Sequence, residues 1–133
     1  MIEPKGVVHF SIAVSDLERS RKFYTDILGL RLVHDGSSFG MVFLRAGDDH
    51  VILARSDGPL QRSAADSRRA HHAFKIAAAQ YDAAKAYLSS RDVEIFEEED
   101  RRTGVFVGRQ FYIRDPDGNV IEFTEWDGTS ILD

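Results

Sequence analysis

The 133 residues carry 17 Lys and Arg against 22 Asp and Glu, a formal net charge of -5, with 43% hydrophobic residues and no cysteine. A chain of this length makes one domain and can bury roughly 65–70% of the surface its unfolded form exposes, so it needs no covalent staples. The missing cysteines exclude disulfide scaffolds, thiolate zinc sites and cysteine nucleophiles, which leaves any metal to His, Asp and Glu. Acidic balance argues against nucleic-acid binding, which rests on Lys and Arg neutralising phosphates, and fits poorly with anionic membrane surfaces. No apolar run approaches the ~20 residues of a membrane helix, and the opening MIEPKGVVHF lacks a signal-peptide core. The expectation is a soluble, cytoplasmic protein whose partner is a small molecule.

In chain order, GVVHFSIAV (6–14) is rich in β-branched residues and predicts a buried strand. Ser15 and Glu18 have capping-box spacing, and Leu17, Phe23, Tyr24, Ile27 and Leu28 lie at helical spacing before Gly29 ends the run. LRLVHD, GMVFLRA and DHVILAR then predict three short strands divided by turn residues, so the first half reads βαβββ. SDGPLQRSAADSRR (56–69) is polar and bears Gly and Pro, as a connection does. HHAFKIA, AQYDAAKAYLSS, VEIFEEE, VFVGRQFYIR and GNVIEFTEW then repeat strand, helix and three strands.

The repeat reaches individual residues. HFSIAV and HHAFKI both open on His, at His9 and His71, and FLRAGDDHVIL (Phe43 to Leu53) superimposes without a gap on YIRDPDGNVIE (Tyr112 to Glu122). A fixed offset over that stretch, with Arg, Asp and Val-Ile in common, predicts an internal duplication: module one at about 6–55 and module two at about 70–127, within one domain. His9 and His71 begin the two repeats and Glu122 ends the second. Two imidazoles and one carboxylate are the donors of a facial triad, which holds a divalent ion and leaves positions open for substrate.

HFSIAVSDLERSRKFYTDILGL, the HHAFKI strand and the closing FYIRDPDGNVIEF resemble the vicinal oxygen chelate superfamily, which includes glyoxalase I, extradiol dioxygenases, fosfomycin-resistance enzymes and bleomycin-binding proteins. The resemblance covers nearly the whole chain. It implies an α+β fold of two tandem βαβββ modules forming a cupped, barrel-like mixed sheet around a divalent metal (Fe, Mn, Ni or Zn). It implies His9, His71 and Glu122 as ligands, with the site shared in a homodimer so that His9 of one chain meets His71 and Glu122 of its partner. A fourth ligand found in glyoxalases and epimerases falls on Leu53 by the repeat offset, or on Ile52 if the register slips by one, and neither binds a cation.

Alternation along the strand puts His71, Ala73 and Lys75 on one face and His72, Phe74 and Ile76 on the apolar one, which favours His71 over His72 as ligand. Ser11, Lys75 and Tyr112 are the candidate substrate-side residues. His50 is expected in a loop or at a strand entry, His34 at the surface, and the run Glu97 to Asp100 with Arg101 and Arg102 on a solvated face. Asp115-Pro116-Asp117-Gly118 is a turn whose carboxylates shape the backbone. The activity implied is a metal-dependent one on an oxygen-rich molecule, either extradiol-dioxygenase-like or a glyoxalase-like isomerase or lyase.

Two alternatives stand beside it. A fosfomycin-resistance-type addition needs cations on a phosphonate, yet no Lys or Arg follows Arg114, and Arg101, Arg102 and Arg109 offer only partial substitutes. A metal-free, bleomycin-type drug-binding protein would use an acidic, aromatic groove containing Phe106, Tyr112 and Trp126.

Overall fold

The structure is a computed structural model describing residues 1–58 and 70–129, so most of the predicted 56–69 connection lies outside the described residues. It divides into two compact units, Met1–Gln61 and Arg62–Asp133, each holding one four-stranded mixed sheet. Unit one contains β1 (His9–Val14), α1 (Leu17–Lys22), β2 (Arg31–Gly36), β3 (Met41–Ala46) and β4 (Asp49–Arg55). Its sheet runs β1-β4-β3-β2, with β1 parallel to β4 and the other pairs antiparallel. Unit two repeats this with β5 (His71–Lys75), α2 (Tyr81–Ser90), β6 (Glu97–Arg101), β7 (Gly108–Arg114) and β8 (Val120–Thr124) in the order β5-β8-β7-β6. The predicted α+β class and doubled βαβββ order are both present.

Each sheet is two-faced because its strands alternate. Ile12, Val14, Val42, Leu44, Val51 and Leu53 are buried on one side of the first sheet, while His9, Ser11 and Ala13 leave β1 on the other. In unit two the buried side carries Phe111, Ile113, Ile121 and Phe123, against which the fully buried Tyr81 of α2 packs edge-to-face on Phe111 at 5.4 Å. The opposite side, the open face, is exposed along β5 at His71, Ala73 and Lys75 and covers Gln110, Tyr112 and Glu122 on the neighbouring strands.

Local boundaries depart from the sequence expectation in three places. The cap of α1 is Asp16 rather than Ser15: Asp16 Oδ1 accepts from the Arg19 amide at 3.0 Å, and the Ser15 hydroxyl takes the Arg19 guanidinium instead. After Lys22 the helix widens into a π-turn, Phe23–Ile27, in which Phe23 and Tyr24, adjacent in sequence, are both buried. Gly29, at φ +78, then ends it.

The third departure is β6. The apolar letters of VEIFEEE suggested a strand at 93–99, but the ladder runs over Glu97–Arg101. As an edge strand it carries charge on both faces: Glu98 receives the Tyr81 hydroxyl at 3.0 Å and Lys85 at 2.7 Å on the helix side, and Glu99 turns to the open face. The solvated-run expectation is therefore corrected for Glu98 and Glu99, which both have built partners.

The 115–118 segment is the predicted turn. Asp115 is buried, and its Oδ1 accepts from the Asp117 and Asn119 amides at 2.9 and 2.8 Å, with Gly118 at φ +84. It places three residues between the strand-end pair Asp115 and Asn119, where the β3–β4 turn places only Gly47 and Asp48 between Ala46 and Asp49. That one extra residue shifts the repeat register. Phe43 pairs with Ile52 as Tyr112 pairs with Glu122, so Glu122 corresponds to Ile52, and the ungapped match to Leu53 is corrected.

Candidate metal and substrate site

The site begins with strand pairing. β5 lies parallel to β8 with Ala73 opposite Glu122, which sets His71 one diagonal step away on the same face. His71 Nε2 and Glu122 Oε1 are 3.5 Å apart. Two ligands at about 2.1 Å from one ion and a tetrahedral angle apart would be separated by about 3.4 Å, so the pair fits two donors of a single divalent cation. Glu122 is 8% exposed, and among the described residues its ion-pair partner is His71.

His72 faces the other way, paired with the fully buried Ile121. Burial, followed by the neighbouring His71, holds its imidazole below the usual histidine range, with Asp115 opposing the shift. The alternation that favoured His71 is thus the geometry of β5.

Tyr112 completes the local constellation. It pairs with Glu122 across β7–β8, is 2% exposed, and meets the His71 ring edge-on at 6.1 Å. Its hydroxyl donates to Glu99 Oε1 at 3.2 Å, and Glu122 stands opposite Tyr112 across the β7–β8 pair. Burial first, then the neighbouring Glu122 and Glu99 carboxylates, push the phenol well above its ordinary value. Glu99 Oε1 also accepts from Gln110 Nε2 at 2.8 Å and from Arg101 at 3.0 Å. Glu99 and Gln110 were not singled out from the sequence. The signal available was period two: Glu97, Glu99 and Arg101 share the face of Gln110 and Tyr112 once β6 is placed correctly.

The other predicted residues are distributed as follows. Lys75 leaves β5 on the open face, exposed, opposite Thr124. His9 and Ser11 lie in unit one, exposed on the outward face of β1. His50 is at the strand entry, the second of the two positions expected for it: it is the second residue of β4 and the direct partner of His9 in the parallel pair, so two imidazoles stand side by side there. His34 is exposed as expected and stacks on Phe39 at 6.2 Å. Among the described residues no group of three or more His, Asp or Glu side chains converges as a metal cage.

The arginines proposed as partial phosphonate ligands are engaged elsewhere. Arg109 is on the helix side, where Glu125 takes its Nε and Nη2 at 3.0 and 2.8 Å and the guanidinium lies 4.2 Å from the Tyr81 ring centroid. Hydrogen bonding to Arg109 in turn holds the Glu125 carboxyl below the usual carboxylate range. Arg101 pairs with Glu99 and Arg102 with Asp100. Arg114, on the open face, lies 3.7 Å from the Phe96 centroid. The aromatic pair Phe106 and Trp126 is in edge contact at 4.9 Å.

A family model described as the Glyoxalase/Bleomycin resistance protein/Dioxygenase superfamily matches residues 6–123. Glutathione transferase FosA of Serratia marcescens is 31% identical over 114 residues, covering 86% of this chain and 76% of that protein. Biphenyl-2,3-diol 1,2-dioxygenase 3 of Rhodococcus globerulus is 30% identical over 87% of this chain, which spans 60% of the dioxygenase's length. Among solved structures, the fosfomycin resistance protein FosX of Listeria monocytogenes superimposes with a TM-score of 0.76 at 23% identity, covering 96% of this chain and 94% of its own, and another crystal of that protein holds Mn(II) and sulfate.

Proposed function

This chain belongs to the Glyoxalase/Bleomycin resistance protein/Dioxygenase superfamily, and from that premise we propose that it is a divalent-metal-dependent enzyme acting on a small oxygen-rich substrate. The observation that carries the reading is the 3.5 Å approach of His71 Nε2 to Glu122 Oε1 on adjacent strands of the open face. His9 supplies the third ligand in this reading, from the partner in a homodimer that shares each site. That arrangement is supported by the exposure of His9 and its flanks, with Phe10 53% exposed and Val7 and Val8 exposed as well. When bound, the metal would act as a Lewis acid toward substrate oxygen. The protein's own part is to hold two ligands in register through β5–β8 pairing, to line the site with Tyr112, and to offer hydrogen-bond donors from Ser11 and Lys75.

The ligand set without a fourth carboxylate, Ile52 standing in its place, favours a dioxygenase-like reaction over a glyoxalase-like one that needs a carboxylate at that position. A fosfomycin-resistance-type addition is the second reading, favoured by the 31% identity to the Serratia FosA. Elemental analysis and anaerobic titration with Fe(II), Mn(II), Ni(II) and Zn(II) provide the test. About one ion per chain is expected for the wild type, abolished by His71→Ala and by His9→Ala and largely retained by His72→Ala. No tight uptake of any of the four would refute the enzyme reading in favour of metal-free drug binding. Retention by His71→Ala would refute the ligand assignment.

A further inference from the structure

Tyr112 has one hydroxyl proton, and it is donated to Glu99 Oε1 at 3.2 Å, although the Glu122 carboxylate stands opposite Tyr112 on the neighbouring strand. Glu99 is fixed independently of Tyr112, because Gln110 Nε2 donates to its Oε1 at 2.8 Å and Arg101 at 3.0 Å, and Gln110 is itself fully buried. A carboxylate that shares its charge with a bound cation is a weaker acceptor than one that does not. With an ion on Glu122, the Tyr112 proton is therefore directed to Glu99. What Tyr112 then turns toward the His71–Glu122 side is an oxygen lone pair.

We propose that Glu99 is a specificity-determining residue. By holding the Tyr112 proton it makes Tyr112 an acceptor beside the ligand pair, so the site takes a neutral, hydroxyl-bearing ligand and disfavours a phosphonate. The surrounding charges agree. Glu97 is the direct partner of Tyr112 on the same face, and Glu99 stands diagonally beside it. Of the cations on that face, Arg101 is committed to Glu99 and Arg114 lies over Phe96, while Lys75 is four residues along β5 from His71. An anionic oxygen placed against Tyr112 would meet lone pair and carboxylate; an O–H would meet a hydrogen-bond acceptor.

The inference rests on His71 and Glu122 holding a metal, and its experiment separates the two ideas. Wild type, Glu99→Gln and Tyr112→Phe are first titrated with Mn(II) alone, then, loaded and anaerobic, with catechol and with methylphosphonate by calorimetry. Absence of Mn(II) uptake by the wild type would refute the metal reading before any organic ligand is added. With Mn(II) bound, wild type is expected to favour catechol over methylphosphonate. Glu99→Gln is expected to keep Mn(II) affinity within about threefold and to shift the catechol-to-methylphosphonate ratio at least about tenfold toward the phosphonate, the scale of one charge-assisted hydrogen bond. Tyr112→Phe, which removes the acceptor but keeps the ring, should lose catechol affinity by a similar factor. Wild type that prefers methylphosphonate, an unchanged ratio in Glu99→Gln, or loss of Mn(II) from Glu99→Gln would each overturn the assignment while leaving the metal reading in place.

Discussion

Ile52→Glu and Leu53→Glu put the same carboxylate on neighbouring residues of β4, and their stabilities should differ by about 2–3 kcal/mol. Leu53 is 0% exposed and pairs with Ile12 and Val42 on the buried side of the first sheet, so a glutamate there has no polar partner. The substitution loses about 1.5–3 kcal/mol of apolar burial and adds about 3 kcal/mol or more for an uncompensated charge. The total of about 5 kcal/mol approaches the whole stability of a typical domain.

Ile52 is 8% exposed and shares its face with Ser11, the location in its sheet that Glu122 occupies in the other at the same 8% exposure. Ile52→Glu should therefore cost little beyond the lost burial, about 2–3 kcal/mol, because the carboxylate can leave on the outward face. Urea denaturation at pH 7 reads the difference directly. Lowering the pH toward 4 adds a sign: a carboxyl forced into the Leu53 position has its folded-state pKa raised, so its penalty is full above that pKa and shrinks as protons neutralise it. Equal losses, or a larger loss in Ile52→Glu, would refute the one-residue shift between the two β-hairpin turns and the correspondence of Ile52 with Glu122.

Two further predictions address unit two. Gly108 has φ +120, and a methyl added there would come within 3.1 Å of Glu125 Cγ, so Gly108→Ala should lower stability by about 1–3 kcal/mol in a denaturant melt. Glu98 and Glu125 are both held below the ordinary carboxylate range, Glu98 chiefly by Lys85 and Glu125 chiefly by Arg109. A depressed folded-state pKa contributes stability that is complete above the unfolded value, about 4.3, and is lost as pH falls through the folded one. The urea midpoint should thus fall on acidification below about pH 4.5, less steeply in Glu125→Gln, and an unchanged slope in that variant would show the Arg109 pair to be irrelevant to folding.

The doubled βαβββ order was legible because hydrophobic period and turn residues speak locally: HFSIAV forms β1, although the predicted start at Gly6 was three residues early, and the DPDG segment forms its turn. The Ser15 cap was misplaced by one because Ser-Asp offers two capping side chains in succession, and only the backbone conformation of Asp16 (φ -133, ψ 105) decides between them. The ungapped alignment of the halves likewise hid a turn longer by one residue. Identity on both sides of a turn cannot reveal where in the turn the extra residue sits, whereas hydrogen-bonded pairing of Phe43 with Ile52 and of Tyr112 with Glu122 does.

Glu99 shows the deeper reason a site escapes a one-dimensional reading. In sequence, Glu97-Glu98-Glu99-Asp100 is a uniform charge run, and a solvated surface is the cheapest place for it. A strand makes that run non-uniform by sending alternate members to opposite faces. Glu98 therefore meets Tyr81 and Lys85 under α2, while Glu99 meets Gln110, Tyr112 and Arg101 beside Glu122. The chemical difference between the two glutamates comes from their partners; apart from the near neighbour Arg101, these lie 11 and 13 residues from Glu99 and 17 and 13 from Glu98. Only the β6–β7 register assigns them. A shift of one residue in that register would exchange the faces of Glu98 and Glu99, placing Glu98 beside Tyr112 and Glu99 under α2.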